Sequence, residues 1–288
     1  VFDMHDFEQS IKDKFPELSK GHKKIAKYLL EQPQQFAIKS AGQIGTEVGV
    51  SETTVIRFCY SLKYDGFSDL QKKVRETLLL QKSSLDQYYS NKLKLLDEPH
   101  FFAQVMEQDC QNISRTASQM AERDVQKAVE HLIEGEQILI CGLRSSFAPA
   151  HWLSFTLGLM RENIFLYKSD TDGLGAVIDR LNARSVFVAI SFHRYLKETI
   201  HMAELAKQRG ATVIGITDSP VAPVSKFADV LLTISPSGKS TLDTTPSLFS
   251  LLNAIVAKVS VQDKQRFEKR KQQYESLDIK HLFYDEPL

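Results

Sequence analysis

Residues 41–62 read AGQIGTEVGVSETTVIRFCYSL. Ala41, Ile44 and Val48 recur at helical spacing, and Gly49 follows the last of them. A glycine at that place is a helix stop, because it accepts the left-handed conformation that ends a helix. Two residues on, Ser51 can cap a second helix by accepting a hydrogen bond from one of its free first-turn amides. That helix carries Val55, Phe58, Cys59 and Leu62 at i, i+3, i+4 and i+7, which is one inner face. Helix, glycine turn and capped helix at this length make a helix-turn-helix. Ser51, Glu52, Thr53, Thr54, Arg57 and Ser61 are left on the outer face.

The N-terminal end of the second helix is the part that enters a DNA major groove in such motifs. Thr53 and Thr54 suit phosphate or thymine-methyl contacts, and Arg57 suits bidentate guanine recognition. Lys63, Lys72 and Lys73 suit the phosphate backbone. The spacing is shared with small helical bundles that never touch DNA. Charge does not decide the matter, since residues 1–80 hold 12 Lys/Arg against 11 Asp/Glu.

Outward from the motif, Ser19 is a plausible cap for a helix to Glu31 that Pro33 follows, with a short helix near 36–40. Tyr64-Asp65-Gly66 is a turn, and Leu70, Val74, Leu78 and Leu79 again repeat at helical spacing. Residues 1–80 therefore read as an α helical bundle, and the polar stretch 81–100 as a partly helical linker. Two helices are expected between Phe101 and Glu134.

The texture changes at Gln137. Short apolar runs at 138–140, 164–166, 186–190, 213–216 and 230–232 alternate with helical segments. That alternation predicts βαβ units, hence a three-layer αβα sandwich around a five-stranded parallel sheet, over residues 101–262 with the leading helices included. Residues 263–288 form a C-terminal tail, charged at first and ending in Leu277, Ile279, Leu282 and Phe283.

Composition narrows the function classes. The chain has 288 residues, 42% hydrophobic and 25% charged, which suits two ordinary globular domains. Lys+Arg and Asp+Glu both number 36, so no overall basic charge announces a nucleic-acid partner. Cys59, Cys110 and Cys141 are far apart in apolar surroundings and are read as buried thiols, which points to a cytoplasmic protein without disulfides or a metal site. No apolar run approaches the roughly 18 residues of a membrane span, and no signal peptide is expected from the acidic N-terminus.

Two loops in the α/β part carry candidate chemistry. CGLRSSFAPA, 141–150, follows the first strand and places Ser145 and Ser146 at the start of the next helix, whose free amides favour an anion. It lacks GxGxxG, so no dinucleotide cofactor is expected. ISFHRYLKET, 190–199, ends the third strand and opens a helix. Ligands of open α/β sheets bind outside the strands' carboxyl ends, where both loops lie. Arg144 and Arg194 suit a phosphate or carboxylate, unless Glu198 or Asp170 pairs with them.

The stretch from Ser19 to Gln71 resembles the N-terminal domain of the RpiR family of bacterial regulators, most specifically in VSETTVIRFCYSL, KYDGFSDLQ and KIAKYLLEQP. That resemblance maps the family's recognition positions onto Ser51, Thr53, Thr54 and Arg57. ILICGLRSSFAPA and the run from Val186 to Leu232 are similar to the SIS (sugar isomerase) domain, whose members bind phosphosugars. The SIS phosphate loop usually reads S-x-S-G-x-T with a Glu two residues on. Ser191 and Glu198 match it, whereas His193, Arg194 and Leu196 replace its second Ser, its Gly and its Thr. Arg144 stands at a second glycine position, in the first loop.

The resemblance implies a DNA-binding transcriptional repressor with a SIS-like sensing domain, homo-oligomeric as dimer or tetramer; since one recognition helix reads only a few base pairs, a palindromic operator is expected. The residues of the two loops then predict a small anionic metabolite, a phosphosugar or sugar acid, bound through Arg144, Ser145, Ser146, Ser191, His193, Arg194 and Glu198. No catalytic residue and no membrane partner is expected. The alternative is a sugar-phosphate isomerase, with Glu198 and His193 as its acid and base.

Overall fold

A computed structural model of the chain describes residues 7, 11, 14–79, 84–96, 98–234 and 240–276. They form two compact units, residues 1–87 with 219–222 and residues 88–218 with 223–288.

Among the described residues the first unit is built from helices: α1 (Lys20–Glu31), α2 (Pro33–Ile38), α3 (Ala41–Val48), α4 (Glu52–Ser61) and α5 (Phe67–Leu79). Each start has a local cause. Ser19 accepts from the His22 amide to cap α1. Pro33 opens α2 rather than merely following α1, so this helix begins three residues before the expected Phe36; proline's fixed φ and missing N–H suit a first helical position. Ser40 and Gln43 form a reciprocal capping box on α3. Gly49, at φ 69°, ends α3 in the left-handed conformation. Ile25, Leu29, Phe36, Ile44, Val55, Phe58, Leu70 and Val74 are wholly buried in one core. Phe58 and Val55 thus hold the recognition-type helix α4 rigidly, and truncating a buried Phe costs about 3–5 kcal/mol.

α6 (Ser84–Leu93) lies in the stretch read as a linker and runs across the boundary between the units at residues 87 and 88; in the second unit, α7 (Phe101–Gln119) and α8 (Glu122–Glu134) precede the sheet. Five strands follow: β1 (Gln137–Gly142), β2 (Ile164–Leu166), β3 (Ser185–Ile190), β4 (Thr212–Thr217) and β5 (Val230–Thr233). All pairs are parallel, in the order β2-β1-β3-β4-β5. β1 and β3 are buried on both faces, as their unbroken apolar runs require.

Helices α9 (Phe147–Gly158), α10 (Leu174–Ile178), α11 (Lys197–Gln208), α12 (Thr245–Gln262) and α13 (Lys264–Ser276) complete the unit. Ile138, Ile140, Val188, Ile214 and Leu232 meet α8, α9 and α12 in one core. α11 packs against β3 and β4. The charged opening of the tail is α13; Leu277, Ile279, Leu282 and Phe283 lie outside the described residues.

The segment Leu242–Gln262, which ends in α12, is long and apolar enough to cross a membrane on length and composition alone. Here Leu248, Leu251, Leu252, Ile255 and Val259 are buried in the sheet's core. Cys110 is exposed rather than buried. α7 turns Asn112 and Thr116 inward, and a residue two places before Asn112 lies about 200° round the helix from it.

Candidate functional site

The first candidate surface is the outer face of α4. Ser51 caps that helix: its Oγ accepts from the Thr54 amide at 3.2 Å and lies 2.8 Å from Thr54 Oγ1. The two hydroxyls therefore turn toward each other. Thr53 and Arg57 are exposed, and so is Tyr60, 57% accessible, one further turn along the same stripe. The sequence reading passed over Tyr60, although i, i+4, i+7 spacing from Thr53 put it there. Glu52 is drawn away: its Oε2 lies 3.5 Å from where a Cβ on Gly42 would stand, over the first turn of α3. Lys63, exposed with φ 68°, sits just past the C-terminal end of α4.

The second site lies in the α/β unit. The chain leaves β1 toward β2 on one side and returns to β3 on the other, so the strand order reverses between β1 and β3. A crevice opens outside the carboxyl ends of strands at such a switch point. The loops after β1 and β3 converge there on a cavity of about 290 Å³, lined by Arg144, Ser145, Ser146, Ser191, His193, Arg194, Leu196 and Thr199 among others. Six of the seven residues expected to bind ligand are brought together. Glu198 is not among the lining residues; its Oε1 accepts from the Tyr167 hydroxyl at 2.7 Å.

Local geometry explains the convergence. A Cβ at Gly142 would stand 2.9 Å from that of Ala150 and closer still to the Ser146 carbonyl, so only glycine lets the chain fold back over the end of β1. Residues 144–146 then form a 3-10 turn that feeds α9. Neither α9 nor α11 receives a side-chain cap, so Ser145, Ser146 and Ser191 are not held as helix caps. The Ser191 hydroxyl is buried and has no hydrogen-bond partner among the described residues. Such a group costs about 1–3 kcal/mol until something satisfies it.

Arg144 and Arg194 are both exposed and both left-handed, at φ 54° and 67°. Both stand where the resemblance expects glycine, and both hold a backbone conformation that glycine adopts readily. Among the described residues neither arginine has a carboxylate partner; Glu198 is taken by Tyr167, and Asp170 forms no ion pair with either. A non-glycine residue held left-handed costs on the order of 1–3 kcal/mol and is retained mainly at sites of function.

Two residues absent from the sequence reading organise the second loop. Asp218, one residue past β4, accepts from the His193 amide through Oδ2 at 3.0 Å and from the Tyr195 hydroxyl through Oδ1 at 2.8 Å. Burial first, and then the Asp218 carboxylate, raise the Tyr195 phenol above its usual range. Burial and the hydrogen bond to Glu198 do the same to Tyr167. Beneath the site, burial pushes the Cys141 thiol up to about 12. Among the described residues no group of three or more His, Cys, Asp or Glu could hold a metal.

The chain matches two family models: "Helix-turn-helix domain, rpiR family" over residues 5–81 and "SIS domain" over 131–258. An uncharacterized HTH-type transcriptional regulator of Haemophilus influenzae is 25% identical over 226 residues, 76% of each chain. The HTH-type transcriptional regulator HexR of Pseudomonas aeruginosa is 26% identical over 226 residues, 77% of each. Among solved structures, the Vibrio vulnificus NanR protein complexed with ManNAc-6P aligns with a TM-score of 0.58 at 18% identity, covering 97% of this chain and all of that one. The sugar isomerase domain of the RpiR transcription factor from Sphaerobacter thermophilus gives a TM-score of 0.56 at 23% identity, over 61% of this chain and 98% of the other. These structures share the fold.

Proposed function

Since the chain belongs to the RpiR family of transcriptional regulators, with a helix-turn-helix domain and a SIS domain, we propose that it represses transcription from a palindromic operator under the control of a small anionic metabolite bound by Arg144, Arg194 and the serines beside them. The observation that carries this reading is the pair of guanidiniums, without a carboxylate partner among the described residues, that line one cavity at the β1/β3 switch point. Two cations beside two helix N-termini repel each other and the helix dipoles until an anion enters. The buried Ser191 hydroxyl supplies an unused hydrogen-bonding group. A phosphosugar or a sugar acid both fit this chemistry. ManNAc-6P, with which the Vibrio vulnificus NanR protein is complexed, is of the first kind.

Thr53 and Arg57 then read bases, Ser51 and Thr54 shape the helix start, and Lys63 holds a phosphate. One recognition helix spans only a few base pairs, so the operator is two half-sites and the protein a homo-oligomer. Phe155, Leu159 and Phe165, all exposed around α9 and the edge strand β2, supply apolar surface for association. The isomerase alternative needs Glu198 and His193 as acid and base at the substrate; His193 lines the cavity, whereas Glu198 does not and accepts through Oε1 from Tyr167.

Calorimetric titration of sugar phosphates, sugar acids and neutral sugars tests the ligand class. Anions should bind, and Arg194→Ala should lose about ten- to hundredfold in affinity, the loss of one charge-assisted contact. Equal binding of neutral sugars refutes the anion site. Selection from a random duplex pool tests the operator, and recovery of sites without two-fold symmetry refutes the dimeric reading.

A further inference from the structure

The near-zero charge of residues 1–80 hides a segregation. α1 carries Lys20, Lys23, Lys24 and Lys27 against the single acid Glu31. Their partners differ. Lys27 lies 3.7 Å from Glu31, and Lys23 sits 5.7 Å over the Phe15 ring. Lys20 and Lys24 are exposed, and among the described residues neither has an ion-pair partner. The prominent acid nearby, Glu47, is already bound by Lys39 at 2.5 Å and by Tyr28 at 2.7 Å.

The position of α1 gives these two lysines a direction. Its first turn lies against the start of α4: a Cβ on Gly21 would stand 3.4 Å from Thr54 Cγ2 and 3.7 Å from Val50 Cγ1. The Lys24 ammonium reaches the helix-turn-helix turn itself, 3.6 Å from where a Cβ on Gly49 would be. Lys20 is one turn earlier on the same stripe. When a helix about 10–12 Å across lies in a major groove about 12 Å wide, what flanks the helix's buried N-terminus stands over a wall of phosphates.

From this geometry we infer that Lys20 and Lys24 of α1 form a phosphate clamp that holds the DNA backbone beside the N-terminus of α4. The inference rests on the reading of α4 as the groove-entering helix and assigns α1 a part in it. The clamp adds affinity and register without reading sequence, because phosphates are the same at every base pair. Lys27, farther along the helix and beside Glu31, stays outside it.

The test uses the full chain and fluorescence anisotropy with two probes, a mixed-sequence duplex and a duplex recovered by selection, across a salt series. Each phosphate contact contributes about 0.9 to the slope of log affinity against log salt. The double variant Lys20→Ala/Lys24→Ala should flatten that slope by about 1.8 per bound chain. It should weaken both probes by the same factor, leaving their ratio unchanged. Lys20→Arg/Lys24→Arg should retain the wild-type slope. Lys27→Ala, which removes the same charge from the same helix, should leave the slope unchanged, so an equal effect of Lys27→Ala overturns the clamp in favour of diffuse charge. An unaltered slope in the double alanine variant, while wild type binds and Arg57→Ala still loses selectivity, overturns the clamp and leaves the α4 reading standing. Absence of binding to either probe by the wild type overturns both.

Discussion

The Tyr195 hydroxyl donates to Asp218 Oδ1 at 2.8 Å, and the same carboxylate's Oδ2 takes the His193 amide at 3.0 Å. One side chain from the end of β4 thus spans both flanks of Arg194. The left-handed Arg194 has no side-chain tether of its own among the described residues, so this anchor sets where its guanidinium stands. Asp218→Asn keeps the volume but turns one acceptor into a donor. We expect it to weaken anion binding about tenfold or more, corresponding to the loss of one hydrogen bond to a charged group, with operator affinity in the absence of ligand unchanged. Tyr195→Phe should have a smaller effect in the same direction. Calorimetry on both variants reads this, and wild-type ligand affinity in Asp218→Asn contradicts the anchoring role.

Arg144 holds φ 54° at the mouth of the cavity. Replacement by alanine removes the guanidinium and keeps the backbone cost. Replacement by glycine removes both, since glycine accepts positive φ without a Cβ clash. Arg144→Gly should therefore be more stable than Arg144→Ala by about 1 kcal/mol, with both variants losing ligand response alike. Paired denaturant melts measure the difference. An alanine variant as stable as the glycine variant shows that the left-handed backbone carries no strain.

The three thiols should separate kinetically. Cys110 is exposed. Cys59 and Cys141 are buried, and burial pushes both thiols up to about 12. The thiolate is the reactive form, so at neutral pH a disulfide reagent should titrate one thiol rapidly in the native protein and three after unfolding. Cys110→Ser should abolish the fast phase, and a fast phase that survives this change would place the reactive thiol elsewhere.

Much of this arrangement was legible in the sequence because it depends on local signals. Ser19 and Ser51 mark helix starts through a side-chain hydroxyl and Gly49 marks a stop through its left-handed backbone, and the short apolar runs such as 138–140 and 186–190 read as buried strands because helical segments alternate with them. The convergence of the two loops followed from strand order, which alternation of elements only implies. What stayed hidden depends on distance in space. Asp218 and Tyr167 show no pattern near the residues they hold, because their partners lie 23 to 31 positions away. Charge counted along residues 1–80 concealed a lysine stripe that exists only once α1 is wound and set beside α4. The cysteine reading failed where an apolar neighbourhood in sequence was not one in space, on the outer side of α7.

The helical unit should lose stability on acidification in two separate windows. His22 of α1 packs edge-on to Phe58 at 5.7 Å between ring centres, and burial holds its imidazole below the ordinary 6.5. Hydrogen bonds from Lys39 and then Tyr28 hold the Glu47 carboxyl below 4.5. In both cases the unfolded chain takes up the proton at a higher pH than the folded one. The stabilisation is therefore complete above the unfolded pKa and is lost as pH falls through the folded one. For His22 the decline begins below about pH 6.5, and for Glu47 below about pH 4.5. Asp109, in the other unit, works in the opposite sense, because burial raises its carboxyl and protonation relieves the cost. The windows are therefore read as differences between variant and wild type. Thermal melts of wild type, His22→Gln and Glu47→Gln over a pH series should show the first substitution flattening the upper window only and the second the lower only. Parallel curves for wild type and His22→Gln between pH 7 and 5 would mean that the imidazole titrates equally in the folded and unfolded chains.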